Sequence, residues 1–484
     1  MSPQTPFPNS RFLAKSGMLA LLSLALAACA GGIKPAVKPV DTQSLGLSQT
    51  VAPAVDAQWW KGFGDPQLDS LIDEAVNGNP TLDEAVARMR LAQAGLAAAR
   101  SQQYPQVSFD ANEQREHFAN HYIFPPPYAG TARWIGTFAG NLNWDIDLWG
   151  RQAALVDRSK ALGRAARLDT AGAKLAIEGA VAAAYVELNE AFQLADVAKA
   201  TVEEREHVLA IGVGRVKDGI DSKVELTEAQ TLLDVARKNA EQANSNCDLA
   251  VHALAALMGR GANAYAEITH PAGKLHTTLA LPTTLPADLL ARRPDIASAQ
   301  ERIYAAMKGR IAARAAFYPD INLLATAGFA SIGLGNLLTQ ASEQYGAGPA
   351  VHLPIFDAGK LRADYESATA DLDFAIADYN ATVTQAVHET ADQLTQIRSL
   401  DAQVVQQTRF SADAAEGYRL AKSRYRSGLA NQLTLFNAEA LLLEARRQQA
   451  ELDAARTTEC IHLILAIGGG FNPAGISIPA PQQG

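Results

Sequence analysis

Two histidines stand four residues apart in "HFANH", His117 and His121. On a helix that spacing puts two imidazoles on one face, where they can share a divalent metal. The stretch "YIFPPPY" follows at once, and its prolines oppose a helix there. An exposed polar loop between strands is the favoured reading. Tyr122, Phe124 and Tyr128 in that loop would partly occlude an opening beneath it. "HETAD" at His388 lacks the second histidine of a zinc-protease helix. "GVGRVKDG" at Gly212 has neither the glycine spacing of a nucleotide fold nor the Lys-Ser/Thr of a phosphate-binding loop. No nucleophile–base set stands out. The sequence therefore points to no enzyme, no metal site and no cofactor, apart from a covalent lipid on Cys29.

That cysteine is one of only three. Arg11 and Lys15 form a basic segment, and "GMLALLSLALAA" (Gly17–Ala28) is an apolar run too short to span a bilayer. It ends in "LAAC" (Leu26–Cys29), which resembles the lipobox of bacterial lipoproteins, where cleavage precedes an acylated cysteine. Ala30 follows in place of the aspartate that retains lipoproteins at the inner membrane, so the resemblance implies an outer-membrane anchor. An ordinary signal peptide with an incidental cysteine is the other reading. Cys247 lies on an alanine seam and reads as a small packed hydrophobe. A disulfide from Cys247 to Cys460 is the alternative. The formal net charge is −9, without the basic stripe a nucleic-acid partner needs. No other run reaches the ~18 apolar residues of a membrane helix, so crossing a membrane would require a closed β-barrel.

The elements that would build one appear twice. "AAARSQQYPQV" (Ala97–Val107) returns as "IAARAAFYPDI" (Ile311–Ile321), with Tyr104 and Tyr318 at an offset of 214 residues. Further on the offset is 209: "DLWGR" (Asp147–Arg151) aligns with "FDAGK" (Phe356–Lys360), Gly219 with Gly428, and "LMG" at Leu257 with "AIG" at Ala466. Each copy reads helix, two strands, long helix, glycine-bearing break, helix, a duplicated α-β-β-α-α unit. In "FAGNLNWDIDL" the residues Phe138, Leu142, Trp144, Ile146 and Leu148 share one face, with Asn141, Asn143, Asp145 and Asp147 on the other. "VSFDAN" alternates likewise. Runs of about ten residues suit tilted transmembrane strands, although a half-buried soluble strand alternates in the same way. Four strands cannot close a barrel with a lumen, so a barrel would take several chains.

Gly150 to about Lys217 and Gly359 to about Ser427 contain no proline, and each predicts a helix of roughly 100 Å. After Asp221, ten residues from Leu226 to Leu257 repeat at 3,4 spacing as an alanine-rich coiled-coil seam. The matching helix keeps the seam at Leu435, Ala438, Leu442 and Ala445. It then meets Gln449 and Arg456, so its second half must pack differently or face water. In both copies a Tyr-Pro marks the change from helix to strand.

Several stretches resemble the outer-membrane factor family, the TolC-like exit ducts, and its NodT-type lipoprotein branch. They are "WWKGFGDPQLDSLIDEAVNGNPTLDEAVARMRLAQAGLAAARSQQYPQV" (Trp59–Val107), "WDIDLWGR" (Trp144–Arg151), "LPADLLARRPDIASAQERIYAA" (Leu285–Ala306), "YRSGLANQLTLFNAE" (Tyr425–Glu439) and the lipobox. The resemblance implies a mainly α fold with a membrane β-barrel portion. Four strands per chain would enter a 12-stranded barrel of a homotrimer in outer-membrane lipid, continued by a long periplasmic α-helical tube. It implies a periplasmic adaptor and an inner-membrane efflux pump as partners. The chain would divide into a signal peptide at 1–28, a lipid-anchored linker at 29–58, a first repeat at 59–258, an equatorial linker at 259–293, a second repeat at 294–470 and a tail at 471–484.

The resemblance also implies a periplasmic gate where the second long hairpin turns. Better-known members carry acidic residues at the positions that fall on Thr434 and Asn437, which are uncharged here. A carboxylate ring at those positions is thus in question. The equivalent positions of the first repeat are Glu225 and Glu228. Gly219 and Gly428 would permit the tight turns at the hairpin tips. The function so implied is passive export of drugs or other small toxic solutes. A type I protein-secretion duct and a non-conducting trimeric structural lipoprotein are the alternatives. The lipobox and the linker favour small solutes, and the alternating strands count against a spacer.

Overall fold

The computed structural model describes residues 34–41, 45–47, 55–121, 123–271, 275 and 292–472. Cys29, Tyr122 and most of the 259–293 linker lie outside the described residues. Helices α1 (Pro66–Gly78) and α2 (Pro80–Ser101) precede strands β1 (Gln106–His117) and β2 (Ala132–Asp145). Helices α3 (Arg151–Lys217) and α4 (Lys223–Leu257) complete the first copy. The second copy is α5 (Pro294–Ala315), β3 (Asp320–Ile332), β4 (Glu343–His352), α6 (Lys360–Arg426) and α7 (Gln432–Ala466). The helices match in length across the copies: 22 residues in α2 and α5, 67 in α3 and α6, 35 in α4 and α7. Each long helix begins directly after a left-handed glycine, Gly150 (φ 72°) or Gly359 (φ 89°).

The chain forms two compact units that cut across both copies: 1–38, 102–155 and 306–377 in one, the remainder in the other. The first holds an antiparallel sheet in the order β1-β2-β3-β4. Its register aligns Val107, Leu142, Ala325 and Ala347 in one row and Phe109, Gly140, Ala327 and Tyr345 in the next. Ala111, Phe138 and Phe329 follow on the same face. The opposite face carries Ser108, Asn141 and Thr326, and Asn141 Nδ2 donates to Asp110 Oδ2 at 2.7 Å. Gly328 is required where it stands, because a Cβ there would lie 2.0 Å from the Phe138 carbonyl oxygen. Among the described residues β1 pairs only with β2 and β4 only with β3, so both outer strands present open edges.

Two expectations need correction. Ile146 and Leu148 fall beyond β2: the Ile146 amide still donates to Ile321 O at 2.8 Å, but Asp147 turns to accept from the Ala153 amide and cap α3. β1 runs on to His117, which the sequence placed in the loop. Its outer half carries Glu113, Arg115 and His117 on the face of Val107 and Phe109, so the apolar alternation stops at Ala111 while backbone pairing with β2 continues.

The second unit has a core of Trp59, Trp60, Leu68, Ile72, Tyr185, Leu254 and Met258. Asp65 caps α1 and accepts the buried Tyr185 hydroxyl at 2.7 Å. All ten positions of the α4 seam are buried or half-buried. In α7 the buried stripe runs through Leu435, Leu442 and Ala445, then steps to Ala450, Ala454, Thr457, Ile461 and Ile464. The slip places Arg456 beside Asp401, with Nε 2.6 Å from Oδ1. The second half of α7 thus packs on a different face. No helix among the described residues is long and apolar enough to cross a membrane.

Candidate functional site: the hairpin tips

The two tips repeat one backbone device. At the first, the Ile220 amide reaches back to Arg215 O (2.8 Å) and Gly219 takes φ 74°. At the second, the Leu429 amide reaches Arg424 O (2.8 Å) and Gly428 takes φ 70°. These are Schellman-type ends, which need a residue without the Cβ penalty of left-handed backbone.

The return helices are capped by different chemistry. Ser222 and Glu225 form a capping box: Ser222 Oγ accepts the Val224 amide (3.1 Å), and Glu225 Oε2 accepts the Ser222 amide (3.0 Å) and its hydroxyl. The hydrogen bonds from Ser222 hold the Glu225 carboxyl below its usual range. Asn431 caps α7 by accepting both the amide (3.0 Å) and the hydroxyl (2.7 Å) of Thr434. Glu225 and Thr434 are therefore engaged in caps, while Glu228 and Asn437 are exposed. Gln432, buried at the start of α7, donates to Glu225 O at 3.2 Å and ties the two return helices together.

Behind the tips lies a charged layer that no sequence motif announces. Arg215 grips Asp221 with two hydrogen bonds (2.7 and 3.0 Å) and lies 4.9 Å from the Tyr425 ring centre. Lys422 pairs with Glu204 at 2.7 Å. Arg205 of α3 and Glu439 of α7 are 3.1 Å apart, and Arg205 stacks 4.7 Å above the Phe436 ring. Glu439 is 2% exposed, and neither of its oxygens accepts an aligned hydrogen bond. Burial pushes its carboxyl up to about 7 against the pull of Arg205; Glu204 adds to the rise and Lys422 opposes it. The signal available in the sequence was a glutamate at i+4 from Leu435 inside an otherwise apolar stripe.

Arg293 of "LARRPDI" explains that motif. It donates to Asp295, to Glu389 (2.9 Å) and to Ala466 O (3.2 Å), joining the start of α5, the middle of α6 and the end of α7. Cys247 and Cys460 are both buried free thiols, Cys460 in a cluster with Leu394, Ile397 and Leu463, so the disulfide alternative falls. His117 ends β1 and His121 lies in the following turn, off any helix. Among the described residues no group of three or more His, Cys, Asp or Glu is placed to hold a metal.

The chain matches the family model described as outer membrane efflux protein over residues 71–260 and 285–469. It is 34% identical over 376 residues to the fusaric acid resistance protein FusA of Burkholderia cepacia, covering 74% of this chain and 70% of that protein. It is 31% identical over 432 residues to the multidrug resistance outer membrane protein MdtP of Escherichia coli K12, covering 86% of each. Among solved structures it is similar to the outer membrane protein VceC of Vibrio cholerae, with a TM-score of 0.79 at 30% identity over 86% of this chain and all of that one. The CmeC outer membrane channel of Campylobacter jejuni shares the fold at a TM-score of 0.82 and 24% identity, over 91% of this chain and 94% of CmeC. With a family match spanning both copies of the repeat, the chain belongs to the outer membrane efflux protein family, whose members are channels and not enzymes.

Proposed function

We propose that this protein is the exit duct of a tripartite efflux system, passively conducting drugs or other small toxic solutes from an inner-membrane pump and periplasmic adaptor to the exterior. The observation that carries the reading is the four-stranded sheet, with an apolar band from the row of Val107 to the row of Ala111 on one face, Ser108, Asn141 and Thr326 on the other, and both outer strands unpaired at their outer edges among the described residues. Lipid tolerates no unpaired strand edge, and four strands cannot enclose a lumen. Three copies would close a 12-stranded barrel. The names of the relatives, resistance to fusaric acid and to multiple drugs, support small solutes over polypeptides as cargo.

The tips support both a gate and a docking point. Glu225, Glu228, Thr434 and Asn437 lie in the first two turns of the return helices, where the duct would narrow. Ile220 and Val224 have their equivalents at Leu429 and Leu433, and all four are more than half exposed. Apolar pairs at matching places in both copies suit a helical adaptor end. The lipobox supports acylation at Cys29 and placement in the NodT-type branch.

The test is the native mass of the detergent-extracted mature protein, followed by its conductance in a planar bilayer. The reading expects a lipid-modified trimer with small conductance that rises when Thr434–Asn437 is disrupted. A monomer would refute the duct. A trimer that never conducts, even with the tip disrupted, would leave the structural spacer as the better account.

A further inference from the structure

The N-terminal segment is clasped to α6 at two points. Asp373 Oδ1 accepts the amides of both Ala36 (2.9 Å) and Val37 (3.0 Å). Asn380 Oδ1 accepts the amide of Val40 (2.7 Å). From Val37 to Val40 an extended chain rises about 10 Å. From Asp373 to Asn380 the helix also rises about 10 Å. The contacts follow one chain order along α6: Ala36 and Val37 on Asp373 in the first unit, Val40 on Asn380 in the second.

Towards its own start, α6 leads back to the foot of the sheet. Asp373 lies thirteen residues after Lys360, the first of α6, which is about 20 Å. Cys29 lies seven residues before Ala36, a covalent reach of at most about 25 Å. Just before α6, the connector from β4 carries Ile355 and Phe356, 93% and 90% exposed. Trp149 stacks on Tyr318 at 4.9 Å in the same unit. Exposed apolar and aromatic side chains at the foot of a membrane strand mark the lipid interface. Seven residues are enough chain to cover that distance.

We propose that Asp373 is the dock that sets the working length of the lipid tether, so that the acyl group on Cys29 and the foot of the sheet meet the bilayer at one level. The proposal rests on the acylation proposed above. One carboxylate oxygen takes two neighbouring amides, which fixes the strap in register, where a single apolar contact would let it slide.

Hydrogen exchange of the mature protein in lipid nanodiscs tests it, with intact mass reporting the lipid. Asp373→Ala should speed exchange at Ala36 and Val37 at least about tenfold, the worth of one charge-assisted bond. Val40 should stay protected, and Asp373→Asn, which keeps an acceptor oxygen, should retain most of the protection. Deleting Gly31–Ile33 cuts the reach to about 14 Å, short of the boundary. It should free Ala36 and Val37 although Asp373 is intact, while duplicating the same three residues should change nothing. Unchanged exchange in Asp373→Ala overturns the dock. Normal protection in the deletion, with lipid present by mass, overturns the tether length. Absence of lipid by mass overturns the acylation and the tether length together, and leaves Asp373→Ala to judge the dock alone.

Discussion

Replacing Arg205 with methionine probes the buried pair behind the tips, and its effect should depend on pH. Glu439 holds its proton up to about pH 7, well above the 4.3 of a free glutamate. Between about pH 4.5 and 7 the native state therefore keeps a proton that the unfolded chain has lost, and stability falls as pH rises through that window. Above pH 7 Arg205 is what makes the buried carboxylate tolerable. Without it, burial alone would carry the pKa to about 9, as for other buried glutamates. The loss is the ratio of the two ionisation terms, about 25-fold at pH 8.5, or about 2 kcal/mol, and about 1.1-fold at pH 6. Native-state hydrogen exchange at 205–209 in α3 and 438–442 in α7 reads the local opening directly. Protection in R205M should fall about 23-fold more at pH 8.5 than at pH 6, and adding E439Q should abolish the difference. An equal loss at both pH values would show that the guanidinium contributes packing alone, and the ion-pair reasoning would be wrong.

Gly328→Ala should prevent the β2–β3 pairing, since its Cβ would strike the Phe138 carbonyl; Gly346→Ala, with open space around it, should be neutral. The fraction of extracted protein running as the assembled species on native gels separates them. Ser222→Ala removes one cap of α4 and should destabilise the first tip by about 1 kcal/mol, measured as faster exchange at Val224 and Glu225 with the second tip unaffected. Cys247 and Cys460 should resist maleimide in the folded protein and both react after denaturation, and a mass change on reduction alone would contradict the free thiols.

The duplication was legible because its anchors are backbone devices: the Tyr-Pro at each helix-to-strand change, and glycines at 150, 219, 359 and 428 whose positive φ no other residue adopts cheaply. Equal helix lengths follow from equal anchors. The α4 seam was readable because ten consecutive small or apolar positions have one packing solution. The outer half of β1 was not, because Glu113 and Arg115 break the alternation and only the partner strand keeps them extended. The slip in α7 was visible as a failing seam but not in direction, since its destination depends on what lies opposite. Glu225 and Thr434 could be placed beside the hairpin turns by the repeat, yet their engagement in caps depends on Ser222 and Asn431 beside them. The Arg205–Glu439 layer joins residues more than two hundred positions apart, and Asp373 meets Ala36 across still more, with no local pattern to announce either.

The open edges of the sheet also impose an order on how the protein is made. The helical unit buries Trp59, Trp60 and Tyr185 against residues of the same chain. The sheet differs: β1 and β4 each keep a row of backbone donors and acceptors ready for any extended chain that arrives. In the proposed trimer a newly exported copy would thus be half finished, and its lifetime in that condition would depend on how soon it meets its own kind. Supply rate, more than intrinsic stability, would then decide between productive closure and misassembly.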